Sequence, residues 1–121
     1  MTTILVVDDE YLIADILGFA LEDEGFMVVK AGHGQKGLEV LERERPDLII
    51  TDFMMPVMDG LEFAKAVRAL PSVKHLPIIL ISGAQAHIGM QRSDLFNVVL
   101  EKPFNIDLII DEVKKLLADR H

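Results

Sequence analysis

The chain has 121 residues and a hydrophobic fraction of 50%, which is enough to bury a core and excludes an intrinsically disordered chain. Its formal net charge of -8 argues against direct binding to nucleic acid, because phosphates are neutralised by clustered Lys and Arg. The sequence has no cysteine and no apolar run near the ~18–20 residues of a membrane span, so we expect a cytoplasmic protein without disulfides.

Short apolar runs alternate with segments of helical periodicity along the chain. Thr3 to Val7 predicts a first strand, and Leu12 to Leu21 carry apolar residues at helical spacing before a glycine that is typical of a helix end. Phe26 to Ala31 predicts the second strand. After the turn at Gly32 to Gly34, a second helix is predicted to end at about Arg45.

The same alternation continues in the second half. An apolar run introduced by Pro46 predicts a third strand that ends at Asp52, and Ile78 to Ile81 predict the fourth strand. The third helix is predicted at Leu61 to Arg68, and the weakly patterned fourth helix at Ala84 to Asp94. The fifth strand is predicted at Asn97 to Leu100, and the fifth helix at Ile106 to Leu117. Asn105 is the expected N-cap of the last helix.

Five strands that alternate with five helices predict a single α/β domain over residues 1–121. Strands connected through helices run parallel, and helices on both faces of the sheet account for strands that are apolar throughout. Because such crossovers are right-handed, a doubly wound sheet is the simplest arrangement.

Polar residues stand where these strands end. Asp8 and Asp9 follow the first strand, Asp52 closes the third, and Ser82 and Lys102 follow the fourth and fifth. Because the carboxyl ends of parallel strands share one edge of the sheet, we expect these side chains to meet there. Taken alone, Asp52 could be a nucleophile, a metal ligand, a helix cap or a turn residue.

The chemistry of the whole set narrows these alternatives. Two like charges about 4 Å apart cost about 4 kcal/mol at an effective dielectric constant of about 20, so three carboxylates either take up protons or hold a cation. Carboxylate oxygens without a nearby His or Cys suit Mg²⁺. Lys102 and the Ser82 hydroxyl add donors for a tetrahedral anion, and the set therefore favours a phosphoryl-transfer site.

With these residues the chain resembles the response-regulator receiver domains of two-component signal transduction. The resemblance extends over all five strands. Each fragment is weak alone, but together and in order, each at a strand end, they are specific. The motifs are Val7-Asp8-Asp9-Glu10, Asp52 with Met55-Pro56 and Asp59-Gly60, Ser82, and Lys102-Pro103-Phe104. The resemblance implies a flavodoxin-like fold with strand order 2-1-3-4-5.

The resemblance also implies how the site would work. Asp52 is expected to take a phosphoryl group from the phosphohistidine of a histidine kinase or a histidine phosphotransfer protein, forming an acyl phosphate. Lys102 is expected to pair with a phosphoryl oxygen, and its bond to Pro103 is expected to be cis. Ser82 is expected to be the switch hydroxyl, which moves toward the phosphoryl group. Such a domain is a signalling phosphoacceptor with only weak catalytic activity of its own.

A Mg²⁺ site is implied at the same place. Asp9 and Asp52 are expected to bind the ion directly, together with the backbone carbonyl oxygen of Met54. Asp8 is expected to hold the ion through water. The downstream effector, the kinase and the oligomeric state are not implied by the resemblance, which fits a stand-alone regulator, a phosphorelay shuttle or part of a longer protein.

Three features depart from the family pattern. An aromatic residue usually stands three positions before the lysine, and here that position is Val99. The segment between Ser82 and Lys102 is about two residues shorter than is common, so the usual output face around the fourth helix is altered. Met54 and Ala84, which would flank the phosphoryl group, lack polar side chains, and this predicts a slowly hydrolysed acyl phosphate.

Two other functions fit part of the pattern. A Mg²⁺-dependent phosphatase also uses an Asp nucleophile at a strand end, but such enzymes need a second acid two residues later, where this chain has Met54. An interaction module that has lost phosphorylation would not need Asp8, Asp9, Asp52 and Lys102 together. A flavin-binding module lacks support, because no phosphate-binding loop follows the first strand.

Overall fold

The computed structural model describes residues 2–118, so Met1 and residues 119–121 of the predicted domain lie outside the described residues. Strands and helices alternate strictly along this part of the chain. The strands are β1 (Thr3–Val7), β2 (Met27–Ala31), β3 (Leu48–Asp52), β4 (Ile78–Ser82) and β5 (Val98–Glu101). The helices are α1 (Tyr11–Asp23), α2 (Gly34–Glu44), α3 (Gly60–Ala69), α4 (Ala86–Met90) and α5 (Ile106–Ala118).

The five strands form one sheet in the order β2-β1-β3-β4-β5, and every neighbouring pair is parallel. This confirms the predicted doubly wound α/β fold and its strand order. Among residues 2–118, no helix is both long enough and apolar enough to cross a membrane.

Alternating strand residues fill a separate apolar core on each face of the sheet. Leu5, Ile49 and Leu80 belong to the core that includes residues of α2 and α3. The residues between them belong to a second core, which α1 and α5 complete; Ile50 and Ile79 are examples. Because both faces are buried, the strands need apolar residues at every position, which is the pattern seen in the sequence.

The element boundaries differ from the predicted ones mainly in the region of α4. This helix has only five residues, Ala86–Met90, and no side chain of the described residues caps its N-terminus. The remainder of the predicted segment up to Asp94 forms turns, because its sequence offers no continuous apolar stripe to hold a longer helix on the sheet. At α5 the prediction is confirmed, since Asn105 Oδ1 accepts a hydrogen bond from Leu108 N at 3.2 Å.

The start of α3 is packed directly against the end of β3. Gly60 N donates to the Phe53 carbonyl oxygen at 2.7 Å. A Cβ atom on Gly60 would lie 2.5 Å from the carbonyl oxygen of Asp52 and 2.9 Å from the Phe53 Cα. Both are backbone atoms and cannot turn away, so this position requires glycine. The contact holds the backbone of Asp52 against the first turn of α3.

We expect Gly60→Ala to lower the free energy of unfolding by about 1–3 kcal/mol, because the added methyl group overpacks against backbone. Urea denaturation of the purified protein measures the effect. Gly32→Ala is the matched control, since nothing lies within 4 Å of a Cβ atom at that position. Equal loss of stability in both variants would contradict the role assigned to the Gly60 contact.

Candidate functional site

Parallel register aligns the carboxyl ends of the central strands. Asp52, the last residue of β3, lies beside Ile81 of β4, and Ser82 lies beside Glu101 of β5. Lys102 follows directly, and its backbone N–H donates to the Ser82 carbonyl oxygen at 2.8 Å. The sheet thus brings the polar residues of three consecutive strands to one edge, as the sequence predicted.

Asp52 is almost completely buried, with 4% of its surface exposed. Its Oδ1 atom accepts a hydrogen bond from Phe53 N at 2.9 Å and lies 3.2 Å from Lys102 Nζ. Burial raises the pKa of Asp52 because it penalises the charged form, while Lys102 and the Phe53 N–H lower it in part. The balance leaves the pKa above its ordinary value, so this carboxylate is poorly compensated.

Asp8 and Glu10 bring two further carboxylates to Asp52. Asp8 is 5% exposed, and its Oδ1 atom accepts a hydrogen bond from Glu10 N at 2.8 Å. Burial raises the pKa of Asp8 from 3.8 to about 6, and the nearby Asp52 charge adds to that effect. One carboxylate oxygen from each of Asp8, Glu10 and Asp52 lies within 4.8 Å of the others. We refer to these three residues as the carboxylate cluster.

Lys102 is the cation that faces the carboxylate cluster. Its Nζ atom lies 3.2 Å from Asp52 Oδ1 and 3.6 Å from Glu10 Oε1. Burial alone would lower the pKa of Lys102, but Asp52, Asp8 and Glu10 together raise it above its ordinary value. The side chain is therefore a charged ammonium group. The Lys102–Pro103 peptide bond is cis, as the resemblance implied.

Ser82 carries a buried hydroxyl group in a neighbouring position. The residue is fully buried, and its Oγ atom has no hydrogen-bond partner among residues 2–118. A buried polar group without a partner destabilises the fold by about 1–3 kcal/mol. The Ser82 hydroxyl could therefore donate to an acceptor placed at this edge without giving up an existing hydrogen bond. This is the property expected of a switch hydroxyl.

Asp9 and Met54 are more exposed than the other predicted site residues. Asp9 is exposed and is not part of the carboxylate cluster, although its charge raises the pKa of Asp52. The Met54 side chain is 58% exposed, in the loop that follows Asp52. The metal-binding roles of both residues remain predictions. The sequence motif contains Glu10 without indicating a role for it, because a position after the strand does not specify that the side chain turns back toward Lys102.

The carboxylate cluster suits a hard divalent cation. All three residues offer oxygen atoms, and burial raises the pKa values of two of them, Asp8 and Asp52. Mg²⁺ prefers this donor set, and its charge would offset both the repulsion between the carboxylates and the loss of hydration that burial causes.

The comparisons with known proteins identify the family of the chain. Residues 4–114 match the family described as the response regulator receiver domain. The chain is 34% identical over 116 residues to the sporulation initiation phosphotransferase F of Bacillus subtilis, covering 94% of this chain and 92% of that protein.

Two solved structures show the same likeness. The response regulator TrrA of Thermotoga maritima, in complex with Mg²⁺ and BeF, has a TM-score of 0.84 and 36% identity, covering 96% of this chain and 99% of that one. Chemotaxis protein CheY4 of Vibrio cholerae has a TM-score of 0.86 and 31% identity, covering 96% and 98%. This chain belongs to the response regulator receiver domain family, whose members are phosphoacceptor switches of two-component signalling.

We expect Asp8→Asn to raise the free energy of unfolding of the metal-free protein at pH 7.5 by about 1–3 kcal/mol, because it removes a buried charge while keeping an acceptor for Glu10 N. Urea denaturation in EDTA measures this. Asp23→Asn, at an exposed carboxylate of α1, is the control and is expected to change stability by less than about 0.5 kcal/mol.

The pH dependence has a definite sign. The folded protein holds protons on Asp8 and Asp52 more tightly than the unfolded chain does, so the contribution of these two groups to stability falls as pH rises from 3.8 through about 6. This fall is expected to be smaller in Asp8→Asn. An equal pH profile for the two proteins, or a loss of stability in the variant, would contradict the electrostatic account of the carboxylate cluster.

Proposed function

We propose that Asp52 is the phosphoacceptor of this receiver domain and that residues 1–121 act as one signalling switch. The observation that carries the proposal is the pairing of the buried Asp52 carboxylate with Lys102 Nζ at 3.2 Å, beside the carboxylates of Asp8 and Glu10. A nucleophile, a cation for the incoming anion and oxygen ligands for a metal are thereby present within one small volume.

The reaction transfers a phosphoryl group to a carboxylate oxygen of Asp52. That oxygen attacks the phosphorus atom of a phosphohistidine, and the bond between phosphorus and the imidazole nitrogen breaks. The electron pair stays on the imidazole, which takes a proton from solvent and leaves as neutral histidine. The products are the acyl phosphate of Asp52 and an unmodified histidine. The donor is a histidine kinase or a histidine phosphotransfer protein.

Mg²⁺ belongs to the proposal because the donor set fits it. When bound, the ion neutralises charge on the phosphoryl group and on the carboxylates around it. Asp9, Asp52 and the backbone carbonyl of Met54 are the proposed direct ligands, and Asp8 is proposed to hold the ion through water. Lys102 pairs with a phosphoryl oxygen, which is consistent with its raised pKa and its ammonium form.

The output of the switch begins at Ser82. Within the described part of the chain its fully buried hydroxyl has no hydrogen-bond partner, and it would gain an acceptor when a phosphoryl group appears on Asp52. Movement of Ser82 would carry the loop between β4 and α4 with it and change the surface that a partner protein contacts. We propose a protein partner for this output in the cytoplasm, with no membrane and no direct nucleic-acid contact, in line with the net charge of -8.

The alternatives have less support. A phosphatase of the Asp-nucleophile type needs a second acid two residues after Asp52, and Met54 stands there with an exposed apolar side chain. A receiver-like module without phosphorylation would have no reason to bury Asp52 and Asp8 where their pKa values rise, since those charges cost stability unless they serve a cation or an anion.

We expect incubation with Mg²⁺ and acetyl phosphate to add one phosphate, a gain of ~80 Da, to the wild-type protein. Intact mass spectrometry measures the adduct. Asp52→Asn is expected to show none, because an amide is not a nucleophile toward phosphorus, and the wild type is expected to show none in EDTA. Asp59→Asn is the control. The Asp59 carboxylate caps α3, seven residues after Asp52 in the sequence, and it lies outside the carboxylate cluster. An adduct that persists in Asp52→Asn would overturn the proposed acceptor.

We also expect the acyl phosphate to be long-lived, because neither Met54 nor Ala84, both exposed, offers a polar side chain to orient an attacking water. Met54→Gln is expected to shorten its lifetime by about tenfold through such orientation. Time-resolved intact mass after removal of the donor measures the decay. Met90→Gln, at another exposed methionine, controls for the change in surface polarity. Loss of the phosphate from the wild type within seconds would contradict this prediction.

A further inference from the structure

Glu10 is the one member of the carboxylate cluster whose side chain is neither the proposed phosphoacceptor nor a proposed holder of Mg²⁺. Its Oε1 atom lies 3.6 Å from Lys102 Nζ, the same ammonium group that contacts Asp52. Unlike Asp8 and Asp52, the Glu10 side chain is largely exposed, at 62%. It therefore stands at the solvent side of the cluster, where a phosphodonor must enter.

The local backbone explains why the Glu10 side chain is available for this contact. Glu10 is the N-cap residue of α1, and its side chain makes no capping hydrogen bond. Its backbone N–H is held instead by Asp8 Oδ1 at 2.8 Å. The backbone position is thus fixed by a buried group, while the carboxylate is free to reach across to Lys102.

We propose that Glu10 makes the site discriminate against doubly charged phosphodonors, a role that rests on Asp52 being the phosphoacceptor. The three carboxylates of the cluster face one ammonium group, and Glu10 contributes the exposed negative charge. An approaching dianion meets that charge first. Lys102 must also exchange its contact with Glu10 for a contact with the phosphoryl oxygen. The repulsion grows with the charge of the donor, whereas the exchange at Lys102 is required for every donor, so Glu10 lowers the reactivity of dianionic donors relative to singly charged ones.

This role differs from those of Asp8 and Asp52. Both of those carboxylates are nearly buried and would be covered by a bound cation and by the phosphoryl group. Glu10 keeps most of its surface in water, so its effect is screened and is expected to be moderate. It acts on the donor through charge and through Lys102, and it is a positioning residue rather than a catalytic one.

The test compares two small donors of different charge at saturating Mg²⁺. Acetyl phosphate is a dianion near neutral pH, and phosphoramidate carries one net negative charge. Initial rates of adduct formation, measured by intact mass, give the ratio of acetyl phosphate to phosphoramidate reactivity for each variant. The variants are Glu10→Gln, which removes the charge, Glu10→Asp, which keeps it, and Glu22→Gln, which changes the net charge by the same unit at an exposed position of α1.

We expect Glu10→Gln to raise this ratio by about three- to tenfold, a range typical of one partly screened charge near the reacting group. Glu10→Asp and Glu22→Gln are expected to keep the wild-type ratio. The increase is expected to shrink at high ionic strength, which a purely structural effect would not do. Calorimetric titration with Mg²⁺ and urea denaturation in EDTA show separately that each variant binds the ion and is folded.

Each contrary result has a separate meaning. A Glu10→Gln variant that changes both donor rates by the same factor, or neither, would overturn the discrimination. So would weaker Mg²⁺ binding in Glu10→Gln with an unchanged ratio at saturation, because Glu10 would then be a metal ligand only. If the wild type forms no adduct with either donor, the proposed phosphoacceptor is wrong, and the role of Glu10 is wrong with it.

Discussion

The burial of negative charge at the carboxyl end of β3 is the constraint on which this structure depends. Asp52 and Asp8 are both nearly excluded from water, and burial raises the pKa of each. Lys102 supplies one positive charge to three carboxylates, which is too little to satisfy them. A protein keeps such an arrangement where a cation and an anion are to be bound, since the charges are otherwise costly. Because the negative charges of the carboxylates are not fully compensated, the site favours the binding of a cation.

The rest of the domain holds this arrangement in place. The sheet is covered on both faces by apolar cores, so its carboxyl edge is where polar side chains can gather without interrupting a core. Gly60 lets α3 begin in direct contact with the backbone of Asp52. The hydrogen bond from Lys102 N to the Ser82 carbonyl oxygen ties the lysine to the end of β4. A shift of the Ser82 backbone would therefore also move the backbone of Lys102.

The region around the short helix α4 is packed by glycine and aliphatic residues. Val99 of β5 is partly buried and packs against the core of α2 and α3, close to Gly89 of the short helix α4. A Cβ atom on Gly89 would lie 2.5 Å from a methyl group of Leu80. The small residue lets α4 lie close to the sheet, and a valine in place of an aromatic residue adds no large side chain to swing between two positions. Because residue 99 is valine, no aromatic rotamer at this position can take part in a switch.

By itself, the sequence determined the order of the elements and most of the polar residues that gather at the carboxyl edge of the sheet. Apolar runs and helical periodicity predicted all five strands and five helices, and polar residues at the strand ends predicted that Asp8, Asp52, Ser82 and Lys102 would meet. Periodicity contains no information about which strands are neighbours, so the strand order came from the resemblance to receiver domains. Only tertiary structure decided the length of α4, the separation of Asp9 from the carboxylate cluster and the contact of Glu10 with Lys102. These depend on side-chain direction and on burial from distant parts of the chain, which a local pattern cannot specify.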